Sequence, residues 1–462
     1  MIWIKAQIED TSPLEHSPNI IYVSESLADK LKTQTKLFFG QAEITISVQV
    51  SPAIPECMGT QFHDPAPIRF SPNLFKQLLI QESAVYQMHY TETTINIGPV
   101  IGFLLGDQHY YYHHRRLKEL TYAMGVYEKV GGLFIAFRQC SISWQEMCIY
   151  GLYFNYGIQR WQYGKLPLPS VVYRRGFISN KNFVNKCNDL LNWKIFNEVR
   201  FDKWQFYNQL KENNILNQYL PETELLTVDN LSKFLNKYSK VILKPTKLSR
   251  GRGISILTSG CDGNLEVHDY RRFADFKITT SQLADYLHEG KYLQSAYIIQ
   301  RFLDVPRING CPWDIRVVMQ KNRWKQWVCN GIECRLAGAG KLITNISSGG
   351  RALELNEVLQ LAFGTEIDPI QVGKDIGSIS MEFCKMMDRT GFRFAEFGLD
   401  LAIDQKMHYW FIEANVRPTF NGFKTLDDRI YRQICYEPIL YSASIAGFGW
   451  EDNDGTSIQH HS

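Results

Sequence analysis

The sequence predicts a multi-domain protein of the α/β (α+β) class. Its 462 residues exceed what one ordinary core accommodates. From about Ile97 onward, apolar runs of strand length alternate with amphipathic helical stretches, the pattern of doubly wound layers. Before that point, apolar residues recur at every second position, the mark of half-buried strands. With 45% hydrophobic and 21% charged residues the chain reads as globular.

The first module, residues 1–94, carries a weak internal repeat. Ile21-Tyr22-Val23-Ser24, then Leu27 and Leu31, reads as strand, cap and short helix; Ile68-Arg69-Phe70-Ser71, then Leu74 and Leu78, repeats it. Ser24 and Ser71 are candidate N-caps. Alternation at Ile44, Ile46, Val48 and Val50 follows the first copy. The expectation is a β-rich module forming a small pseudo-symmetric barrel, against the alternative of two unrelated β-α pieces.

Residues 95–178 form a second, α/β unit. Ile97 to Leu105 reads as one buried strand, followed by an amphipathic segment from about Arg115 to Tyr127. Leu133–Phe137 and Cys148–Phe154 are further strands, and Leu166 to Tyr173 closes the unit. The tract His109 to Arg116 mixes aromatic and basic residues that could stack on nucleic acid, but a solvated loop and helix start accounts for it. A net charge of +3 adds no case for nucleic acid or membrane. There is no signal peptide and no apolar run of bilayer length, so a cytoplasmic location is expected. Ten cysteines are scattered without a C-x-x-C pair, which gives reduced thiols and no zinc site. Residues 446–462 are a polar tail.

The chemistry lies between 179 and 445. No G-x-x-x-x-G-K-[ST], G-x-G-x-x-G or kinase catalytic loop is present. Instead, Val241-Ile242-Leu243-Lys244-Pro245 ends an apolar strand in a lysine. A loop with Arg250, Gly251, Arg252 and Gly253 follows, then a second strand from Ser255. Such glycines let backbone N–H groups approach phosphate oxygens. An ordinary glycine hairpin with a snorkelling lysine is the alternative for this segment alone.

The hairpin Phe397–Ile403 and Tyr409–Asn415 is more telling. If it is symmetric about its turn, Asp400 faces Glu413 and Ala402 faces Phe411, with Asn415 on the face of Glu413. Opposed carboxylates are destabilising unless a cation lies between them. Two carboxylates and an amide oxygen suit magnesium. On Trp313–Met319, period two puts Asp314 and Arg316 on one face. There Arg316 can clamp phosphate or carboxylate, or form a plain ion pair. Tyr297 to Asp304 is an apolar strand ending in a polar hinge.

The order of these pieces resembles the ATP-grasp superfamily over roughly residues 195–420, with Lys203 supplying the first lysine and Leu220-Pro221-Glu222-Thr223 the usual strand start. The resemblance implies that ATP and Mg2+ (or Mn2+) are bound. Lys203 and Lys244 would hold phosphates, with Lys244 also near adenine. Gln300 would meet the adenine amino group, and the backbone of Arg301 and Leu303 the ring edge. Arg316 would stabilise an acyl phosphate, and Asp400, Glu413 and Asn415 would hold the metal. Within the superfamily the chain resembles the YheC/YheD family of endospore coat-associated proteins. That match rests on Ile195-Phe196-Asn197, Pro221-Glu222-Thr223, Leu243-Lys244-Pro245, Thr344 to Gly350 and Trp410 to Pro418. The family pattern has lysine before that last proline and glycine after it; Arg417 and Thr419 depart from it.

The functional expectation is therefore an ATP-dependent ligase joining a carboxylate to an amine or other nucleophile, with an endospore-coat association implied by the resemblance. Arg316, Asn345 and Arg417 would line the space beyond the γ-phosphate and orient an acidic small-molecule or peptide substrate. The alternative is a structural coat protein that binds ATP without turning it over.

Overall fold

Between Ile2 and Gly98, the two-residue alternation is realised as strands β1 (Ile2–Ile8), β2 (Ile20–Val23), β3 (Gln34–Phe39), β4 (Ala42–Val50), β5 (Ala66–Phe70), β6 (Val85–Tyr90) and β7 (Thr94–Gly98). In this computed structural model they close into a barrel in the order β1-β5-β2-β4-β3-β7-β6. Closure leaves no unpaired strand edge. Ile4, Val23, Phe39, Phe70, Tyr86 and Met88 are buried in its core. The repeat appears as β2 and β5, each followed by a short helix, Glu25–Ala28 and Pro72–Leu78. Ser24 and Ser71 stand at the N-cap positions, but neither hydroxyl caps its helix. Ser71 Oγ instead ties the end of β5 to the start of the neighbouring β2, donating to Pro18 O at 2.9 Å and accepting from Ile20 N at 3.2 Å.

A second sheet comprises β8 (Val100–Leu104), β9 (Leu133–Phe137), β10 (Ile142–Ser143), β11 (Cys148–Asn155), β12 (Arg160–Pro167), β13 (Val171–Arg174) and β14 (Lys194–Phe196). Strands β9, β8, β13 and β14 are adjacent and parallel. β8 and β9 are buried along their whole length, as a covered parallel sheet requires. One expected strand is divided, and the segment that closes the unit spans two strands. Ile97 to Leu105 breaks at Pro99, so that Ile97 belongs to the barrel and Val100 to the second sheet. Leu166 to Tyr173 breaks after Pro167, where β12 ends before β13 begins at Val171. Proline lacks the N–H a ladder needs, and an apolar run conceals that interruption.

The structure describes residues 1–9, 18–106, 114–176, 181–191, 194–248, 251–261, 263–272, 274–340, 344 and 349–449. Most of the His109 to Arg116 tract and the tail beyond Gly449 lie outside them. The chain divides into two compact units. The first holds Met1–Glu198, Lys321–Gln326 and the segment from Cys435; the second holds Val199–Gln320 and Trp327–Ile434.

Two antiparallel sheets build the second unit. The first contains β15 (Thr223–Leu225), β16 (Lys240–Pro245), β17 (Ser255–Ser259), β18 (Asn264–Asp269), β19 (Ala274–Thr279) and β20 (Tyr297–Arg301), in the order β15-β20-β16-β17-β18-β19. Leu243, Leu257 and Ile299 pack against Leu231 and Phe234 of helix Val228–Lys237 and Leu287 of helix Leu283–Glu289. The other sheet contains β21 (Trp313–Lys321), β22 (Trp327–Leu336), β23 (Arg351–Leu353), β24 (Glu396–Ile403) and β25 (Tyr409–Asn415), in the order β23-β22-β21-β24-β25. Ile315, Val317, Cys334 and Leu399 share a core with Phe206 of helix Lys203–Lys211 and Phe383 of helix Pro369–Asp388. Strand alternation then commits the opposite face to Asp314, Arg316, Arg335 and Asp400. Among the described residues, no helix is long and apolar enough to cross a membrane.

Candidate functional site

Lys203 is fixed by the start of its helix. Asp202 is the N-cap and accepts from Trp204 N and Gln205 N, both at 3.0 Å, while Gln205 Oε1 accepts from Asp202 N at 3.0 Å. A cation in the first helical turn opposes the helix dipole, so helix stability does not explain this lysine. Its Nζ donates to Leu248 O at 2.5 Å and lies 3.7 Å from Glu413 Oε2. One ammonium thus touches both the segment after β16 and the hairpin of β24 and β25.

Lys244 follows the apolar run Val241–Leu243 of β16. Its Nζ donates to Gln300 Oε1 at 2.6 Å, and Gln300 Nε2 donates to Thr223 Oγ1 at 2.8 Å. Burial lowers the Lys244 pKa to about 8; the Lys203 charge depresses it further and the Glu413 carboxylate partly offsets this. The Gln300 side chain is therefore committed to Lys244 and Thr223. Arg301 N donates to Glu222 O at 3.0 Å. The Arg301 guanidinium lies 5.6 Å from the Tyr238 ring and 5.6 Å from the Trp410 ring, within cation–π reach of both. Leu303 is half-buried just past the end of β20.

The glycine loop returns toward β17 through left-handed backbone at Gly251 (φ 67°) and Gly253 (φ 76°), which favours glycine at both places. Arg252 between them is exposed. Arg250 and Asn345 lie outside the described residues.

A buried charge row runs across β22, β21 and β24. Arg316 donates to Asp400 through Nε at 2.5 Å and Nη2 at 3.0 Å. Arg335 donates to Asp314 through Nε at 2.7 Å and Nη2 at 2.6 Å, and its Nη2 also lies 2.9 Å from Asp400 Oδ2. Thr344 Oγ1 adds a hydrogen bond to Asp314 Oδ2 at 2.5 Å. The row reads Arg316, Asp400, Arg335, Asp314, with charge alternating. Burial alone would raise the Asp400 pKa, but the two guanidinium groups hold it below the usual carboxylate range. Glu333, two residues before Arg335, is fully buried, and its Oε2 has no hydrogen-bond partner. Burial raises its pKa to about 7. Arg316 and Arg335 work against that rise, and Asp314 and Asp400 reinforce it.

In the hairpin, Asp400 pairs with Glu413 as symmetry predicts. The register then shifts, so Leu401 pairs with Phe411 and Ala402 with Trp410, not with Phe411. The extra residue is a β-bulge, which sequence symmetry cannot reveal. Asn415 Nδ2 donates to Glu413 Oε1 at 3.1 Å, so these two share a face. Arg417 is half-buried two residues beyond. Arg316 Nη1 donates to Thr419 O at 3.4 Å.

Oxygen donors that suit magnesium gather at this hairpin. Glu413 and Asn415 are half-buried and adjacent, and both offer hard oxygen atoms. Asp400 Oδ2 accepts from both arginines, whereas Oδ1 accepts from Arg316 Nε and keeps lone-pair capacity. Among the described residues no group of three or more His, Cys, Asp or Glu gathers to hold a metal. The set that fits is two carboxylates and one amide. Arg335, Glu333 and Thr344 were missed by sequence reasoning. The available signal was Glu333-x-Arg335, two charges at period two in an otherwise uncharged strand.

Four similarities accompany this geometry. The endospore coat-associated protein YheD of Bacillus subtilis (strain 168) is 28% identical over 370 residues, covering 76% of this chain and 79% of that one. YheC of the same organism, also named an endospore coat-associated protein, is 24% identical over 293 residues, covering 62% and 80%. Among solved structures, N5-carboxyaminoimidazole synthetase from Staphylococcus aureus aligns with a TM-score of 0.43 at 10% identity, covering 77% of this chain and 78% of that one. The model of the YheC/D-like ATP-grasp family matches residues 192–445. More than half of the chain lies in that match, and the chain belongs to the YheC/D-like ATP-grasp family, with its mixed α and β fold.

Proposed function

We propose that the chain is an ATP- and magnesium-dependent ligase that activates a carboxylate as an acyl phosphate and transfers the acyl group to an amine or other nucleophile. The observation that carries this reading is the convergence of Lys203, Lys244, Gln300 and Glu413 from two sheets and a capped helix. Unliganded, burial depresses the Lys244 pKa and repulsion by Lys203 depresses it further. An anion between them removes that penalty. Lys203, Lys244 and the N–H groups of Gly251–Gly253 bind the phosphates. Glu413 and Asn415, with Asp400 Oδ1, hold magnesium (or manganese), which when bound supplies positive charge to the phosphates.

The substrate carboxylate attacks the γ-phosphorus as the bond to the bridging oxygen of ADP breaks. The nucleophile then attacks the acyl carbon, phosphate leaves, and the nucleophile loses its proton. Arg316 and Arg417 orient the acid and offset the charge that develops during transfer. The names of the two relatives support placing this activity at the endospore coat.

The test is ADP release from magnesium-ATP, with wild type and Glu413→Gln, during incubation with amino acids, peptides and cell-wall extract. Extract-dependent release by wild type alone supports the ligase. If ATP raises the melting temperature but no mixture yields ADP, the non-catalytic coat protein is the better reading. Bidentate neutralisation of Asp400 by arginines is the feature that favours it.

A further inference from the structure

A second polar cluster lies beside the glycine turn, and the ligase chemistry does not use it. Ser255 opens β17 two residues after Gly253, and its register partners are Leu243 on β16 and Asp269 on β18. Ser255, Asp269 and Tyr292 are each at most 2% exposed. Tyr292 OH donates to Asp269 Oδ2 at 2.9 Å. Its single hydrogen is then committed, so it accepts from Ser255 at 2.5 Å and from Tyr286 at 2.8 Å.

Asp269 also gathers the backbone that follows it. Its Oδ1 accepts from Arg271 N at 2.8 Å and Arg272 N at 3.3 Å. Tyr270 N donates to Ile254 O at 3.1 Å, which ties this turn to the residue directly after Gly253. The Arg271 guanidinium lies 4.5 Å from the Tyr292 ring centroid and hydrogen-bonds Tyr297. A Cβ placed on Gly253 would come within 3.0 Å of Tyr297 OH. Side-chain and backbone bonds therefore hold the exit of the glycine turn from two directions.

Folding alone does not call for such a cluster. Apolar residues would fill the same volume without desolvating a carboxylate and three hydroxyl groups. What a satisfied buried network adds is a fixed geometry. Glycines at positive φ have the opposite property: they leave a turn many accessible conformations. A loop that must aim its N–H groups at phosphate oxygens gains from a rigid anchor at its base.

We infer that Asp269, Tyr292 and Ser255 are positioning residues that fix the Gly251–Gly253 turn for phosphate binding. This rests on the reading of that turn as phosphate-facing. The test compares ATP and adenosine affinities by calorimetry for wild type, Tyr292→Phe and Ser255→Ala. Adenosine carries the base and ribose but no phosphate. Tyr292→Phe removes the bond to Asp269, so ATP affinity should fall about 10-fold with adenosine affinity unchanged. Ser255→Ala should shift the ratio in the same direction by a smaller factor, and it guards against a Tyr292 variant that fails to fold. A lowered melting temperature with the wild-type ratio in both variants means a merely structural network and overturns the inference. Wild type that binds no ATP overturns the nucleotide reading itself, and the inference with it.

Discussion

Arg316 and Asp400 stand opposite each other on β21 and β24 and share two hydrogen bonds, at 2.5 and 3.0 Å. Asp400 is also the carboxylate that faces Glu413. Its neutralisation from the β21 side makes a second, half-buried carboxylate tolerable opposite it. Arg335 extends the same compensation to Asp314.

Removing Arg335 should accordingly be costly. Arg335→Met leaves Asp314 with no guanidinium and Asp400 with one, both buried. The expected loss is on the order of 3–5 kcal/mol, read as a lower denaturant midpoint. Lysine should restore only part of it, because an ammonium cannot make the two-pronged contact with Asp314. A loss below about 1 kcal/mol would mean that the row contributes no more than a surface pair.

Lys244 should make ATP binding sensitive to pH. Its folded pKa of about 8 lies below the ordinary 10.5, so the free protein loses this charge as pH rises through 8. ATP affinity should weaken between about pH 7.5 and 9. Lys244→Ala should bind ATP about 10- to 100-fold more weakly at pH 7 and lack that dependence. For folding the sign is reversed: the unfolded chain holds this proton more tightly, so the lysine's penalty to stability fades as pH rises from 8 toward 10.5. Calorimetric titrations across the range decide it.

Glu333 should show the carboxylate version of the same linkage. Its folded pKa of about 7 exceeds the ordinary 4.5, so ionisation increasingly destabilises the fold as pH rises between those values. Glu333→Gln should be nearly neutral at pH 4.5 and more stable than wild type at pH 8, by about 3 kcal/mol. Thermal melts at the two pH values measure it. Equal differences at both would show that Arg316 and Arg335 already balance this carboxylate.

Arg417 should separate nucleotide from substrate. Arg417→Lys keeps the charge but loses the planar fork. ATP affinity should stay within about 2-fold of wild type, while turnover falls or the KM of the acid rises. A silent variant would assign Arg417 to the hairpin alone and leave substrate recognition to other residues.

Much of this site was legible because it is local. Strand alternation gave Asp314 and Arg316 one face, and symmetry of a single hairpin gave Asp400 its partner. Lys244 stood out as a charge closing an apolar strand. Arg335 did not stand out, since its partners lie 21 and 65 residues away in number, on β21 and β24, and nothing along β22 announces which strands flank it. The division of Ile97 to Leu105 was hidden for a related reason. A buried barrel strand and a buried parallel strand have the same apolar composition, and only Pro99 separates them. The relay from Ser255 to Asp269 required knowing that Tyr292 folds back over β17 and β18.

The bulge in β25 has a further consequence, one of parity. Phe411 packs in the hydrophobic core, while Glu413, two positions later, approaches Lys203. In an uninterrupted strand those two side chains would point the same way. The supernumerary residue therefore acts as an inverter, making an even step behave as an odd one between the core-forming and ligand-facing parts of one strand. Length changes in this hairpin should then be unequal in effect. Excising Ile412 would straighten the strand yet leave Phe411 and Glu413 on opposite faces. Inserting one residue after Glu413 would carry Asn415 to the wrong side while every neighbouring amino acid stayed the same. The geometry of this segment thus depends on its count of residues as well as on their identity.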